Sequence, residues 1–255
     1  MQDYISTAFH DADGILILAG AGMSVDSGLP DFRGSNGMWT KAKEDFISLA
    51  TARGFDDDPL TSWNFYISRM LAYGHVKPHA GYDRLLDAVT QHGKDYFVVT
   101  SNVDGHFHMA GYDPALIYEI HGDLRHAQCK QPCTRQLQSM PRFTATLASI
   151  DEIPRCDRCQ QVLRPNVLMF SDPSMVWTNI DLGEDRFRRW LAPKMNVLGI
   201  EVGAGTVIPS IRYIAEERTS TLIRINPYES EVNRRHDVSM SLTALEGINT
   251  LISLL

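Results

Sequence analysis

The α/β character of this chain is evident from Gly14-Ile-Leu-Ile-Leu-Ala19, which is followed at once by Gly20-Ala-Gly22. A short, uninterrupted apolar run that stops at glycine is typical of a parallel strand buried on both faces. Similar runs recur along the chain, at Tyr96–Thr100, 116–120, Val197–Val202 and Thr221–Ile225. Polar or glycine-rich residues follow each run. We therefore expect these residues to gather at the carboxyl edge of one sheet, where open α/β sheets bind ligands.

Stretches with helical periodicity separate these apolar runs. Residues 81–91 place Leu85, Ala88 and Val89 on one apolar face, and residues 242–255 end the chain with a second such pattern. Strands that alternate with helices in this way predict an α/β fold with a doubly wound, mostly parallel, Rossmann-like sheet.

The four cysteines fall into two close pairs, Cys129 with Cys133 and Cys156 with Cys159, and 22 residues separate the pairs. Each short turn can present two thiolates, and a ribbon can bring the two turns together around one tetrahedral Zn(II). A site closed by four thiolates is structural, because no position remains open for water or substrate. Two disulfides, or four unrelated buried thiols, are the alternative that stays open.

Two segments interrupt the alternation of strands and helices. Residues 36–79 have a mostly helical pattern, and residues 127–162 carry the cysteines. We expect both to be insertions that form a smaller, zinc-binding and helical lobe. A single domain over residues 1–255 would then have its large Rossmann-like lobe in about residues 1–35, 80–126 and 163–255, with a ligand cleft between the lobes.

Composition and charge argue against several classes of partner. The 255 residues carry a net charge of −7, and the 24 lysines and arginines are scattered rather than clustered. Nucleic acids and anionic membranes require clustered positive charge, so we expect neither partner. No apolar run approaches the ~20 residues of a membrane-spanning helix, and residues 1–10 lack the pattern of a signal peptide. We therefore expect a soluble, cytoplasmic protein.

The segment Gly20-Ala-Gly22 indicates a tight backbone turn at the end of the first strand. One interpretation is a phosphate site made by backbone N–H groups. The other is a packing turn, because Val25 stands where the third glycine of G-x-G-x-x-G would be. Asn102 and Asp104 likewise follow a strand, either as ligand-binding groups or as the side chains of an Asx turn.

Four segments, in this order, resemble the sirtuin family of NAD-dependent protein deacylases. They are Gly20-Ala-Gly-Met-Ser24, Gly28-Leu-Pro-Asp-Phe-Arg33, Thr100-Ser-Asn-Val-Asp104 and His121-Gly122, followed by the two cysteine pairs. The resemblance covers nearly the whole chain. It implies a single sirtuin-like catalytic domain, NAD as cosubstrate, and a structural Zn(II) held by Cys129, Cys133, Cys156 and Cys159.

The resemblance also implies which residues bind NAD. Three groups of residues would surround it: Gly20, Ala21, Gly22, Ser24, Asp31, Phe32 and Arg33; Ser101, Asn102 and Asp104; and Gly203, Ala204, Gly205 and Asn226. Some positions depart from the family pattern. Ser101 replaces glutamine, Phe107 replaces histidine, and Ala204-Gly205 replaces Thr-Ser.

His121 matches the family's catalytic histidine, although a histidine after a strand is, considered alone, more often structural. An imidazole that titrates near neutrality can accept a proton from a ribose hydroxyl. Tyr66 and Arg69 match the Tyr-x-x-Arg of the sirtuin class that removes succinyl, malonyl and glutaryl groups, in which they bind the acyl carboxylate. Without the resemblance they would be interpreted as a surface pair on a predicted helix.

These matches imply an NAD-dependent protein-lysine deacylase that transfers the acyl group to ADP-ribose, releases nicotinamide and acts on acylated-lysine proteins. Acidic acyl groups such as succinyl are slightly favoured over acetyl. Two alternatives use the same pocket. The departures at Ser101, Phe107 and Ala204 could direct it to ADP-ribosyl transfer or NAD hydrolysis, or the chain could be a non-catalytic NAD-sensing module. The retained His121 argues against the last alternative.

Overall fold

The computed structural model describes residues 2–30, 48–140 and 152–255. These residues form two β-sheets. The larger sheet consists of β1 (Gly14–Ala19), β2 (Tyr96–Thr100), β3 (Ile117–Glu119), β7 (Val197–Val202), β8 (Thr221–Ile225) and β9 (Val238–Met240). The smaller sheet consists of β4 (Gly122–Cys129), β5 (Gln138–Ser139) and β6 (Leu163–Val167).

All neighbouring strands of the larger sheet are parallel, in the order β3-β2-β1-β7-β8-β9. The order reverses between β1 and β7, and this is where an open α/β sheet has its ligand-binding crevice. The topology confirms the predicted doubly wound, Rossmann-like fold. The apolar run at 116–120 forms a shorter strand than predicted, because Pro114–Leu116 is a 3₁₀ turn that precedes β3.

The described residues include eight α-helices: α1 (Gln2–Asp11), α2 (Ala52–Asp57), α3 (Pro59–His75), α4 (Ala80–Gln91), α5 (His106–Met109), α6 (Thr178–Leu191), α7 (Ser210–Arg218) and α8 (Ala244–Ser253). None of these helices is both long enough and apolar enough to cross a bilayer. α3 begins where the Asp58 side chain accepts a hydrogen bond from Thr61 N at 3.1 Å. α8 begins with a capping box between Thr243 and Glu246, two residues after the start of the predicted apolar pattern.

The alternation of side chains along β1 divides the core between the two faces of the larger sheet. Ile15 and Ile17 lie in an apolar cluster with residues of α4 and α8. Leu16 and Leu18 lie in a second cluster, with residues of α6 and α7. Because helices cover both faces, the strand can be apolar throughout, and all four of these side chains are fully buried.

The smaller sheet is antiparallel and has an apolar cluster of its own. Phe55 of α2 and Trp63 and Ile67 of α3 belong to this cluster together with Leu163 of β6. The Trp63 indole also donates a hydrogen bond to the Leu163 carbonyl at 2.7 Å, which attaches α3 to the sheet that contains Cys129. α2 and α3 agree with the helical pattern predicted within 36–79. Residues 36–47 lie outside the described ranges.

Candidate functional site

The loops after β1 and β7 pack directly against each other at the point where the strand order reverses. Gly22 N donates a hydrogen bond to Gly203 O at 3.0 Å, and Gly20 N donates to Val202 O at 3.0 Å. Gly203 has a φ of +66°, and a Cβ added there would lie 2.3 Å from the Gly22 carbonyl carbon. The contact therefore requires glycine at these positions, as the packing-turn interpretation expects.

Ser24 and Asp104 connect the loop after β1 to the loop after β2. Ser24 Oγ donates a hydrogen bond to Asp104 Oδ2 at 2.6 Å, and Asn102 Nδ2 donates to Gly20 O at 3.0 Å. Asp104 Oδ1 accepts from His106 N at 2.9 Å, which is the Asx turn left open by the sequence. Ser24, Asn102 and Asp104 thus lie together at the carboxyl edge of the sheet.

Tyr82 belongs to the same cluster and was not among the predicted site residues. It lies on α4, its side chain is fully buried, and its hydroxyl is 3.0 Å from Ser24 Oγ. Burial raises the pKa of Tyr82 well above its ordinary value, so the phenol remains protonated and can donate. The sequence signal was a tyrosine on the apolar face of a helix, whose hydroxyl needs a polar partner in the core.

His121 lies in the short connection between β3 and β4, where the chain passes from the larger sheet to the smaller one. Its carbonyl accepts a hydrogen bond from Leu168 N, just beyond β6, at 2.9 Å. Burial lowers the pKa of His121, and a hydrogen bond from the ring to the backbone of Ser101 opposes this effect only in part. The imidazole is therefore neutral near pH 7 and able to accept a proton.

Ser101, after β2, lies beside His121 and is connected to it through its backbone. Ser101 N also donates a hydrogen bond to Ala19 O at 3.1 Å, which continues the pairing of β1 and β2 beyond the strand. The predicted residues on the loops after β1, β2 and β3 are therefore brought to one edge of the larger sheet. The remaining predicted cofactor residues of the first loop, Asp31, Phe32 and Arg33, lie outside the described residues.

A hydrogen-bond network after β7 orders the predicted residues near the C-terminus. The buried Ala204 carbonyl accepts from Arg212 Nε and from Asn226 Nδ2, each at 3.1 Å. Asn226 Oδ1 in turn accepts from Glu229 N at 2.9 Å, whereas Gly205 is exposed. Asn226 thus links the loops after β7 and β8. Arg212 was not predicted, because a charged residue on α7 gives no sequence signal that its guanidinium is buried.

Tyr66 and Arg69 lie one turn apart on α3. Tyr66 is buried, so the surface-pair interpretation is wrong for this residue. Burial raises the pKa of Tyr66 to about 12, with partial opposition from neighbouring arginines including Arg69. The Arg69 guanidinium lies 4.0 Å from the centre of the Phe65 ring, and burial lowers its pKa while the phenols of Tyr73 and Tyr66 favour its charge. The Arg69 guanidinium is therefore half-buried beside these aromatic side chains.

The four cysteines converge on one point, although they come from two separate segments. The Cys129 sulfur lies 3.4 Å from that of Cys133 and 3.6 Å from that of Cys159, and the Cys133 and Cys156 sulfurs are 3.9 Å apart. A tetrahedral Zn(II) with Zn–S bonds of about 2.3 Å needs sulfurs about 3.8 Å apart. The cluster could therefore hold zinc, and no disulfide joins any of these cysteines, so the disulfide alternative is wrong.

Comparison with known proteins agrees with this geometry. The model of the Sir2 family matches residues 20–184. An NAD-dependent protein deacylase of Aeropyrum pernix is 34% identical over 89% of this chain and 86% of its own length. An NAD-dependent protein deacylase of Aquifex aeolicus is 28% identical over 92% of each chain.

Solved structures match over the same length. A mutant Sir2 homologue in complex with ADP-ribose has a TM-score of 0.77 at 26% identity, covering 97% of this chain and 93% of that one. A Sir2 homologue in complex with NAD has a TM-score of 0.75 at 25% identity, covering 97% of this chain and 91% of that one.

Proposed function

The chain belongs to the Sir2 family, and from this premise we propose that it is an NAD-dependent protein-lysine deacylase whose acyl site favours acidic groups such as succinyl. The observation that carries the proposal is the position of His121. It is a largely buried imidazole between the two sheets, beside the loop after β2, with a pKa lowered by burial. A neutral, oriented imidazole at the carboxyl edge of the larger sheet can act as a general base.

In the proposed reaction the protein would bind NAD and an acyl-lysine and consume one water, and the products would be nicotinamide, free lysine and O-acyl-ADP-ribose. His121 accepts the proton of the ribose hydroxyl that captures the acyl carbon. Asn102 and Asp104 would hold the nicotinamide and its ribose, and Ser24 would fix the Asp104 carboxylate through their 2.6 Å hydrogen bond. These residues act by orientation, because a reacting group held within about 3–3.5 Å of its partner reacts far faster.

The other predicted cofactor residues have supporting roles in this proposal. The backbone of Gly20, Ala21 and Gly22, and of Gly203, Ala204 and Gly205, would approach the phosphates, and Asn226 would order the loop beneath the adenosine. Asp31, Phe32 and Arg33 would close the first loop over the nicotinamide ribose. The large and small lobes would meet at the NAD-binding cleft, since His121 lies in the connection between the larger sheet and the smaller one.

A closed zinc site supports the fold rather than the chemistry. Cys129, Cys133, Cys156 and Cys159 would occupy all four positions of a tetrahedral ion, so bound zinc supplies structural energy and no reactive water. Cys129 and Cys156 belong to the apolar cluster shared with α3. The zinc site would therefore stabilise the helix that carries Tyr66 and Arg69.

The proposed preference for acidic acyl groups rests on Tyr66 and Arg69. The phenol of Tyr66 remains protonated because burial raises its pKa to about 12, so it can donate to a carboxylate. Arg69 is partly buried, and a charge-assisted hydrogen bond is stronger where water is excluded. A succinyl carboxylate could thus meet one neutral and one charged donor, whereas an acetyl group would use neither.

We would test this proposal by incubating the protein with NAD and acetyl-, succinyl- and glutaryl-lysine peptides, and by identifying the products with mass spectrometry. Arg69→Met should lower kcat/KM for succinyl-lysine by about tenfold or more, the cost of one charge-assisted hydrogen bond, and leave acetyl-lysine within about twofold. The control is Arg53→Met on α2, whose guanidinium is exposed.

The products separate the parts of the proposal. An unchanged ratio of succinyl to acetyl turnover in Arg69→Met would contradict the acidic preference and leave deacylation intact. Nicotinamide release without a deacylated peptide would instead indicate ADP-ribosyl transfer or NAD hydrolysis. NAD binding without nicotinamide release would indicate a sensing module.

A further inference from the structure

Arg125 connects two acidic residues that lie on either side of His121 in the sequence. Its Nη2 donates a hydrogen bond to Glu119 Oε2, and its Nε lies 3.4 Å from Asp123 Oδ1. Glu119 is the last residue of β3 in the larger sheet, and Asp123 belongs to β4 in the smaller sheet. One guanidinium therefore joins the two sheets across the short connection that contains the histidine.

The pairing of β4 with β6 is interrupted directly after His121. Gly122 pairs with β6, but regular pairing of these two strands resumes only at Ala127. Gly122 also has a φ of +75°, a conformation that does not continue a regular strand. Interruptions of this kind redirect side chains next to active sites. Arg125 lies within the interruption, so its side-chain contacts hold the chain where the ladder with β6 is broken.

Both carboxylates that Arg125 contacts are largely buried. The side chains of Glu119 and Asp123 are 13% and 4% exposed, whereas that of Arg125 is 40% exposed. Ion pairs between fully exposed groups hold them weakly because water screens the charges, but little water reaches these carboxylates. Arg125 N also donates a hydrogen bond to Asp123 Oδ1 at 2.7 Å. The three residues thus form one bridge from β3 to β4.

We propose that Arg125 is a positioning residue for His121, because its bridge to Glu119 and Asp123 fixes the two ends of the connection that carries the imidazole. This inference rests on the proposed deacylation, in which His121 is the general base. With the bridge intact, the imidazole stays hydrogen-bonded to the backbone of Ser101. Without it, the connection shifts, and a misplacement of about 1 Å can slow a reaction by about 10²-fold.

The kinetic test compares wild type, Arg125→Met and Arg125→Lys, with NAD and the acyl-lysine peptide that the wild type turns over fastest. We expect kcat to fall by about tenfold or more in Arg125→Met, because the base is misplaced. The KM for NAD should stay within about threefold, since no proposed cofactor contact is removed. Arg125→Lys should recover part of the lost kcat, because an ammonium can still pair with one of the two carboxylates.

Arg234→Met is the matched control for a general loss of stability. Arg234 is also partly buried, and its Nε lies 2.8 Å from Asp237 Oδ2. It donates to the carbonyl of Thr219, which precedes β8, so it lies at the amino edge of the larger sheet, away from His121. We expect urea denaturation to show a loss of stability in this variant, and we expect its kcat to remain within about twofold of wild type.

An NMR titration of the His121 imidazole gives a readout that does not depend on activity, and the signal lost in His121→Ala identifies the ring. Arg125→Met removes a positive charge and Glu119→Gln removes a negative one. Direct electrostatics alone would therefore raise the pKa of His121 in the first variant and lower it in the second. Loss of positioning exposes the imidazole in both variants, so we expect its pKa to rise toward 6.5 in both.

Two results would overturn the inference. One is a kcat in Arg125→Met within about twofold of wild type. The other is a His121 pKa that is unchanged, or that shifts in opposite directions, in Arg125→Met and Glu119→Gln. If the wild type deacylates no peptide, the proposed function fails, and the NMR titration decides the positioning role by itself. A rise of the His121 pKa in both variants would then support it.

Discussion

Arg224 and Glu201 form a bidentate ion pair across neighbouring strands of the larger sheet. The two residues are direct register partners in β8 and β7, with Nε–Oε1 and Nη2–Oε2 distances of 2.7 and 2.9 Å. Their side chains are 2% and 0% exposed, and Glu216 supplies a second carboxylate at 3.1 Å. Glu201 lies two residues before Gly203, so this pair supports the strand that leads into the candidate site.

Removing one member of this pair should strongly destabilise the protein. Arg224→Met leaves the Glu201 carboxylate buried without its partner, and the free energy of unfolding should fall by about 3–5 kcal/mol. Replacing both residues by methionine should cost less than Arg224→Met alone, because no unpaired charge remains. Urea denaturation at pH 7 measures both variants. Arg218→Met, at an exposed pair with Glu217, is the control, and equal stability of Arg224→Met and the control would contradict the prediction.

Gly203 and Gly205 offer a matched pair for testing the contact between loops. Gly203→Ala would place a Cβ 2.3 Å from the backbone of Gly22 and would hold alanine at a φ of +66°. We expect a loss of about 2–4 kcal/mol in unfolding free energy, from steric overlap and left-handed strain together. Gly205→Ala should change it by less than about 1 kcal/mol, since the nearest atom to its Cβ would be 3.7 Å away. Similar midpoints in urea for the two variants would show that the loops are not closely packed.

The larger sheet was predictable from the sequence, whereas the smaller sheet was not. β1 is apolar along its whole length, and β7 is apolar apart from the ion-paired Glu201, because both faces of the sheet are covered. β4 contains Asp123 and Gln128, which are buried by hydrogen bonding and not by apolar packing. The Gln128 side chain, for example, accepts from Asn166 Nδ2 at 2.7 Å. Such partners come from distant parts of the chain, so no local period reveals the strand.

The candidate site was predictable in part, for the same physical reason. Its residues at strand ends, such as Asn102 and His121, follow apolar runs that mark the edge of the sheet. Tyr82 and Arg212 come from helices, and their roles depend on hydrogen bonds that only tertiary structure creates. The zinc cluster needed no tertiary information, because the spacing of four cysteines is itself the signal.

Cys129 should be required for folding as well as for zinc binding. Cys129→Ser removes one thiolate of the four and lies in the apolar cluster shared with Trp63 of α3. We expect loss of stoichiometric zinc by elemental analysis and loss of the cooperative thermal transition, because zinc-binding energy is folding energy. A stable, folded Cys129→Ser protein without zinc would contradict a structural role for the ion.

The pair of His126 and Asp123 should make stability depend on pH. The hydrogen bond that His126 Nδ1 donates to the Asp123 carboxylate raises the pKa of His126 above 6.5. Burial alone would raise the pKa of Asp123. The hydrogen bond with His126 and the charge of Arg125 outweigh burial, and together they lower this pKa to about 2. The contribution of His126 to the free energy of unfolding is complete below pH 6.5. It is lost as the pH rises through the pKa that His126 has in the folded protein. The Asp123 contribution is present above pH 3.8 and is lost as pH falls toward 2.

The measurement is the difference in unfolding free energy between wild type and His126→Gln, obtained with urea from pH 3 to pH 9. We expect this difference to be largest between about pH 4 and pH 6.5 and to shrink on both sides. A difference that is constant across the range would show that His126 and Asp123 are not coupled in the folded protein.

His121 should govern the pH dependence of the reaction. The base is active when neutral, and burial lowers its pKa below 6.5, so kcat/KM should rise with pH through an apparent pKa below 6.5 and stay level to about pH 8. His121→Ala should reduce peptide deacylation by about 10²-fold or more while ADP-ribose affinity changes by less than about threefold. An acid limb at or above pH 6.5 would show that the histidine is not buried in the active form. Substantial deacylation by a folded His121→Ala protein would show that another residue acts as the base. Asp104 would then be the next residue to mutate, because it lies in the same cluster as Ser24 and Asn102.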